Sequence, residues 1–278
     1  MSGFDPYWLA LREPADAQAR NPAVLAACAR RFSARSEISV VDLGCGAGSN
    51  LRALAPHLPG EQHWRLVDHD PRLLDAARSS LGHWADESEA IGGDVALRKN
   101  GKRIFVRFSQ IDLARDLSGA LDEEADLITA AALFDLVSSA WLQRFVTLLA
   151  ARRKPLYTVL IYNGVEEWTP AHVADAAMLA AFHRHQTTDK GFGPAAGPDS
   201  GPILKRLLEA HGYDVEGGAS DWRLDRLDAE LVSLLAEGIA SACRETALVR
   251  RELVDAWLSA RRGASARIGH VDLFAVPR

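Results

Sequence analysis

Cysteine is scarce and scattered. Three occur in 278 residues, Cys28, Cys45 and Cys243, and no two form a CxxC pair. Neither a disulfide framework nor a Cys-rich zinc site is therefore expected, and no metal is expected. No apolar stretch approaches the ~20 residues a membrane span needs. An excess of basic charge is also missing: 32 Lys and Arg against 37 Asp and Glu leave a net charge of −5. A general nucleic-acid binder carries a basic surface, so the balance argues against that class, although a local basic patch would still allow an RNA substrate. The opening residues MSGFDPYWLALREPADAQAR hold no basic flank followed by an apolar run. No signal peptide is expected, and a reducing cytoplasm is the expected home. Repeats, low-complexity tracts and a domain linker are absent.

What is present is an alternation of strand-like and helix-like segments. An alanine-rich helix is expected from about Pro14 to Phe32. Ile38 to Leu43 is a short apolar, β-branched run, as in a strand buried on both faces. A helix follows from Asn50, stopped by Pro59-Gly60. Trp64 to Val67 forms a second strand ending in Asp68, and a helix starts near Pro71. Strand, helix, strand, helix is the signature of a parallel sheet. Asn100-Gly101 between VALRK and KRIFVRF signals a hairpin feeding a third core strand that ends near Asp112. Asp126 to Ala131, Leu156 to Tyr162 and His270 to Val276 supply further strands, with one more between Tyr213 and Leu224. Ser200 is positioned to cap a helix over about 202–211. The expected fold is α/β, a doubly wound and mostly parallel seven-stranded sheet with an inserted hairpin and a helical lid. Residues 1–37 read as an N-terminal helical cap, 38–278 as the main domain, and 163–200 as an insertion that closes over a substrate.

The most informative segment is VVDLGCGAGSN. A strand ends in a carboxylate, Asp42, and a GxGxG turn of Gly44, Gly46 and Gly48 leads into a helix. Such a turn lets a ligand approach the backbone with no Cβ in the way. The dinucleotide fingerprint is GxGxxG, and Ser49 stands where its third glycine belongs. Asp42 would repel a pyrophosphate but attract an ammonium group, so the charge favours a zwitterionic, cationic nucleoside. Asp68 can accept both hydroxyls of a ribose. Asp112 can accept a hydrogen bond from an adenine amino group.

Taken in order and spacing, VVDLGCGAGSN, LVDHDP, IDL and DLITAAALFD resemble motifs I to IV of class I S-adenosylmethionine-dependent methyltransferases. The resemblance covers roughly residues 38–162. It implies a seven-stranded sheet whose last strand is antiparallel, and S-adenosylmethionine as cofactor. It also implies a cofactor-facing set of Asp42, Gly44, Cys45, Gly46, Gly48, Asn50, Asp68, His69, Asp112, Leu113 and Ala131. Cys45 is expected as a small packing residue, since no base is evident beside it.

The acceptor side is less marked. Asp135 follows the fourth strand, and His183 and His185 lie in the insertion; these three are the catalytic candidates. His183 and His185 are two residues apart, so on a helix they diverge. Tyr7, Trp8, Arg12, Tyr162 and Asn163 are the candidates for acceptor contact. The expected reaction is methyl transfer to oxygen or nitrogen of a small-molecule acceptor, by a monomer or homodimer. A catalytically silent S-adenosylmethionine-binding regulator, or an RNA or protein methyltransferase, is the alternative. AAALFD after strand four departs from the NPPY tetrad of adenine amino methylation, which lowers that branch. The missing third glycine and the charge of Asp42 speak against a nicotinamide oxidoreductase.

Overall fold

A computed structural model describes residues 5–121 and 124–278. The chain opens with two helices, α1 (Pro6–Ala19) and α2 (Pro22–Phe32), where one was expected. Pro22 cannot continue α1, and the Asn21 side chain accepts from the amides of Ala23 and Val24 to start α2. Next come β1 (Glu37–Leu43), α3 (Ser49–Leu54), β2 (Glu61–Asp68) and α4 (Pro71–Trp84), the last capped by Asp70. A meander follows: β3 (Glu87–Ile91), β4 (Asp94–Lys99) and β5 (Lys102–Gln110). Asn100 and Gly101 join β4 to β5, with φ of 49° and 76°. Two positive φ values define the type I′ turn that the dipeptide signals.

A short helix α5 (Leu117–Ala120) precedes β6 (Leu127–Ala131), α6 (Ser139–Ala151) and β7 (Leu156–Thr169). The remainder is α7 (Asp175–Gln186), α8 (Ser200–Ala210), β8 (Tyr213–Ala219), β9 (Trp222–Leu224), α9 (Ala229–Thr246), α10 (Arg251–Ser259) and β10 (Ser265–Pro277).

The sheet has ten strands in the order β3-β4-β5-β2-β1-β6-β7-β10-β8, with β9 beside β10. Within it, β5-β2-β1-β6-β7 are mutually parallel, and β10 runs antiparallel between β7 and β8. That is the seven-stranded core expected, with its antiparallel strand. The three extra strands are β3 and β4, which extend the hairpin arm, and β9. Alternation along each core strand fills both faces. Val40, Trp64, Leu66 and Leu127 join one hydrophobic cluster, while Val41, Leu43, Val67 and Ile128 join the other.

Two segments depart from the sequence reading. Residues 163–169 continue β7, with Glu166 to Thr169 pairing with Ser265 to Ile268 of β10, so helix and loop structure in the insertion begins after Thr169. Ser200 is the first residue of α8, and its buried hydroxyl finds no partner among the described residues, so it caps nothing. A turn of 3-10 helix over Gly197–Asp199 runs into α8 and takes the place a cap would hold.

Candidate functional site

The sheet order sets the carboxyl ends of β5, β2, β1 and β6 side by side along one edge. Neighbouring strands lie roughly 4.8 Å apart, so Asp112, Asp68, Asp42 and Ala131 fall along one crescent. The turn after β1 has φ of 63°, 52° and 78° at Gly44, Gly46 and Gly48, a left-handed region that favours glycine. Cys45 N–H donates to the Val67 carbonyl at 3.0 Å, which ties the turn to β2. Burial and the charges of Asp42 and Asp68 keep the Cys45 sulfur a thiol, the unreactive form.

Asp68 is fixed from two sides. Gly46 N–H donates to Oδ2 and Asp70 N–H to Oδ1, each at 3.0 Å. Each oxygen keeps a lone pair for a ligand hydroxyl. His69 lies exposed beside it, its Nδ1 at 3.4 Å from Oδ1. Asp112 is half exposed and accepts from Ala114 N–H at 2.9 Å. Leu113 is buried, and its carbonyl accepts from the Trp141 indole at 2.9 Å.

Asp42 is fully buried. Asn50 Nδ2 donates to its Oδ1 at 2.7 Å and to Thr129 Oγ1 at 3.0 Å. Arg20 Nη2 donates to Asn50 Oδ1 at 2.9 Å. Asp42 Oδ2 has no partner among the described residues. Desolvation pushes its pKa up to about 7, against the pull of Asn50 and of the Arg20 charge. A buried, unpaired carboxylate oxygen at a strand end suits a cationic ligand group. Arg20 itself was not foreseen: it comes from the break between α1 and α2, which carries no local signal of a site.

Helix α1 covers this turn. Leu9 and Leu133 close over it so tightly that a Cβ on Gly46 or Gly44 would sit 3.2 or 3.3 Å from them. Glu13 of α1 pairs with Arg52 of α3. A half-open depression of about 350 Å³ lies elsewhere, against Ser39, His63, Arg65 and Phe105, away from the carboxyl ends of β1, β2 and β5. The one metal-spaced group among the described residues, Glu37, Glu61 and His63, lies away from those ends too.

A second group gathers beyond β6 and β7. Asp135 sits on a 3-10 turn, Phe134–Leu136. Its buried Oδ1 has no partner among the described residues; burial pushes its pKa up to about 6, and Arg12 pulls it down. Arg12 forms a two-pronged pair with Asp16 and lies 4.9 Å over the Trp222 ring. His270 is buried against Trp222 and Tyr162. Desolvation and the Arg12 charge hold it neutral, its pKa lowered to about 3. Tyr162 donates to Glu166 Oε1 at 2.9 Å, and His183 Nε2 lies 3.0 Å from the same hydroxyl.

The other candidates fall outside this group. Tyr7 is exposed and bonds to Glu230 of α9. Trp8 packs half-buried on the core. His185 pairs with Glu245 at 3.0 Å. Asn163 turns back on its own chain and accepts from Val165 N–H at 3.1 Å. Sequence reasoning missed Glu166 and His270; neither stands in a motif, and only tertiary structure brings them to Tyr162.

No protein-family profile matches the sequence, and no curated protein matches it. Solved structures do. The YcgJ protein of Bacillus subtilis is 15% identical over 93% of this chain and 99% of its own, with a TM-score of 0.52. A cyclopropane-fatty-acyl-phospholipid synthase-like protein from Lactobacillus casei is 15% identical over 92% and 90%, with a TM-score of 0.50. These identities speak for architecture. With its strand order and its antiparallel β10, the chain has the Rossmann-like fold of class I S-adenosylmethionine-dependent methyltransferases.

Proposed function

We propose that this chain binds S-adenosylmethionine in the crescent and transfers the methyl group to a small-molecule acceptor held by the group around Tyr162. The observation that carries the reading is Asp42 Oδ2, a buried carboxylate oxygen without a partner among the described residues, lying beneath a glycine turn. The α-ammonium of the cofactor is the group it suits. Asp68 would take the ribose hydroxyls and Asp112 with Leu113 the adenine, as the motif resemblance implies. When bound, the cofactor supplies an activated methyl sulfonium. The protein's own part is to orient the acceptor, exclude water and move one proton. Asp135, Arg12 and Tyr162, gathered beyond β6, would contact the acceptor.

Isothermal titration with S-adenosylhomocysteine tests the reading. The intact chain should bind it with micromolar or tighter affinity, and Asp42→Asn should bind about 10-fold more weakly through loss of a charge-assisted contact. Absence of binding to the intact chain, or NAD binding in its place, would defeat the proposal.

A further inference from the structure

Two irregularities distort β7 just where the acceptor group begins. Opposite Asp272, β7 spends two residues, Val159 and Leu160, and Leu160 takes φ of 58°. Opposite Gly269 it spends three, Asn163, Gly164 and Val165, and Gly164 takes φ of 87°. Gly269 is bare for a reason: a Cβ there would lie 2.2 Å from Asn163 Oδ1 and 2.7 Å from Val165 Cβ.

The second bulge has a chemical consequence. In a regular strand, residues four apart stand roughly 13 Å from each other and cannot bond. Here the Tyr162 hydroxyl donates to Glu166 Oε1 at 2.9 Å. Bulges re-aim side chains beside active sites, and this one folds a carboxylate back onto a phenol. Helix α7 adds the third member, His183, whose Nε2 is 3.0 Å from the same oxygen. With the Tyr162 proton directed at Glu166, the His183 tautomer that completes the contact is the one carrying its proton on Nε2. Tyr162 Oη then keeps one lone pair, enough for one more donor.

We propose that this bulge builds a Glu166–Tyr162–His183 proton relay, and that the methyl acceptor is a small molecule with a phenol-like hydroxyl. The inference rests on the methyltransferase reading above. A hydroxyl must lose its proton as it attacks a sulfonium methyl, whereas a neutral amine can lose its proton afterwards. The acceptor O–H donates to Tyr162 Oη. As the acceptor oxygen forms its bond to the methyl carbon, the S–CH3 bond breaks and its electron pair stays on sulfur. The acceptor proton passes to Tyr162 Oη, and the Tyr162 proton passes to Glu166 Oε1. A sulfonium and a carboxylate become a neutral thioether and a neutral acid, so charge balances. Tyr162 touches the acceptor; Glu166 acts through it. A phenol suits the relay because its own proton is ordinarily lost near pKa 10, within reach of a carboxylate acting through a neutral hydroxyl. An aliphatic alcohol holds its proton too tightly for a carboxylate to take.

The surroundings agree with this assignment. Desolvation raises the Glu166 pKa to about 7, opposed by hydrogen bonds from Tyr162 and Trp168, and Asp175 of α7 pushes it further up. Burial and the charges of Glu166 and Asp135 raise that of Tyr162, so the phenol remains neutral. His183 is biased towards neutrality by burial, against the opposing pull of a hydrogen bond with the Gly164 backbone and of the Asp199 charge. His270 of β10 and Cys243 of α9, which also face the pair, are held neutral by burial. Arg12 of α1 acts by its charge on Asp135 and His270, and the buried Arg261 lies over the Trp168 ring and pairs with Asp175 at 3.0 Å. Asp135 is the rival proton acceptor, but no hydrogen bond joins it to Tyr162.

The test is transfer of tritiated methyl from S-adenosylmethionine to phenol, catechol, 4-nitrophenol and benzylamine, with S-adenosylhomocysteine calorimetry on every variant. The intact chain should methylate the oxygen of phenol and catechol, with a rate that falls below about pH 7. Glu166→Gln keeps an acceptor for the Tyr162 hydrogen bond but cannot take its proton. It should lose about 100-fold in kcat on phenol, lose its acidic limb, and lose far less on 4-nitrophenol, whose hydroxyl is largely ionised at pH 8. Tyr162→Phe should behave likewise, and both should bind S-adenosylhomocysteine as the parent does. Methylation of benzylamine alone, equal losses on phenol and 4-nitrophenol, or no phenol methylation by a chain that binds S-adenosylhomocysteine would overturn the relay. Failure of the intact chain to bind S-adenosylhomocysteine would remove the reading beneath it, and the relay with it.

Discussion

The cofactor crescent and the acceptor group differ in how the chain builds them. Each acid of the crescent lies at or just past a strand end; Asp68 and Asp112 each accept from an amide two residues on, and Asp68 also from Gly46 in the glycine turn after the neighbouring β1. The acceptor group takes Arg12 from α1, Asp135 from the turn after β6, Tyr162 and Glu166 from β7, His183 from α7, Trp222 from β9 and His270 from β10. Hydrogen bonds and ring contacts across the fold hold it together. A pocket made from strand termini is set by topology. One made from a bulge and helix α7 is set by packing and can be retuned by local change.

Separate damage to the two halves is the strongest way to expose that difference. Asp68→Ala removes the acid facing the ribose and releases the amides of Gly46 and Asp70, so the turn itself loosens. Two charge-assisted hydrogen bonds of about 1.5–3 kcal/mol each put the loss in S-adenosylhomocysteine affinity at 100-fold or more. Glu166→Gln should leave that affinity within about twofold while stopping phenol methylation. If Asp68→Ala still binds normally, or Glu166→Gln loses binding as well, the division into halves is wrong.

Protonation sharpens the comparison next. Asp42 carries a pKa raised to about 7 by desolvation. Below that value it is mostly neutral and attracts an ammonium weakly; above it the carboxylate is charged and attracts it strongly. Affinity for S-adenosylhomocysteine should therefore rise roughly tenfold between pH 6 and pH 8. Calorimetry at both values, with Asp42→Asn as the flat comparison, measures the slope. A fall in affinity over that range, or an equal slope in Asp42→Asn, would assign the titration to another group.

The two halves also differed in what the residues alone disclosed. Strand-end acids repeat at intervals set by one helix and one return strand, so Asp42, Asp68 and Asp112 follow from periodicity and turn chemistry. Asn100-Gly101 follows from the positive φ a tight hairpin needs. Glu166 could not be found that way. In the alternation of a regular strand it points where Tyr162 does but lies too far off, and only the three residues opposite Gly269 bring the two together. The extent of β7 was hidden for the same reason: NGVEEWT carries polar and bulged positions that break the apolar run. The split of the N-terminal helix was readable, since Asn21-Pro22 is both cap and stop. The buried role of Arg20 was not, because it depends on α1 and α2 folding back over the glycine turn.

That covering of the turn gives a third prediction, smaller than the first. Gly46 has φ of 52°, and a Cβ there would sit 3.2 Å from Leu9 of α1, which would have to shift by a few tenths of an ångström. Gly46→Ala should weaken S-adenosylhomocysteine binding about 10-fold, from the 1–2 kcal/mol that a side chain costs in this backbone region plus the clash. Leu9→Ala should restore part of the loss by removing the clash, which marks α1 as part of the wall of the crescent. Gly46→Ala binding as tightly as the parent would mean that the turn does not approach the ligand.

The smallest effect separates two histidines that look alike in sequence. His183 and His185 lie two residues apart on α7, about 200° around a helix, so they cannot serve one site. His183 meets Tyr162; His185 pairs with Glu245, which is 65% exposed. An exposed pair of this kind contributes at most about 1 kcal/mol and is weakened further by solvent and salt. His185→Ala should leave phenol methylation and S-adenosylhomocysteine binding within about twofold of the parent. His183→Ala removes the Nε2–H that orients the Tyr162 oxygen, and its kcat on phenol should fall by about 10-fold at unchanged cofactor affinity. Because Glu166 still receives the proton, His183→Ala should keep the acidic limb that Glu166→Gln loses. A limb that vanished with His183 instead would make the imidazole, not the carboxylate, the group that takes the proton.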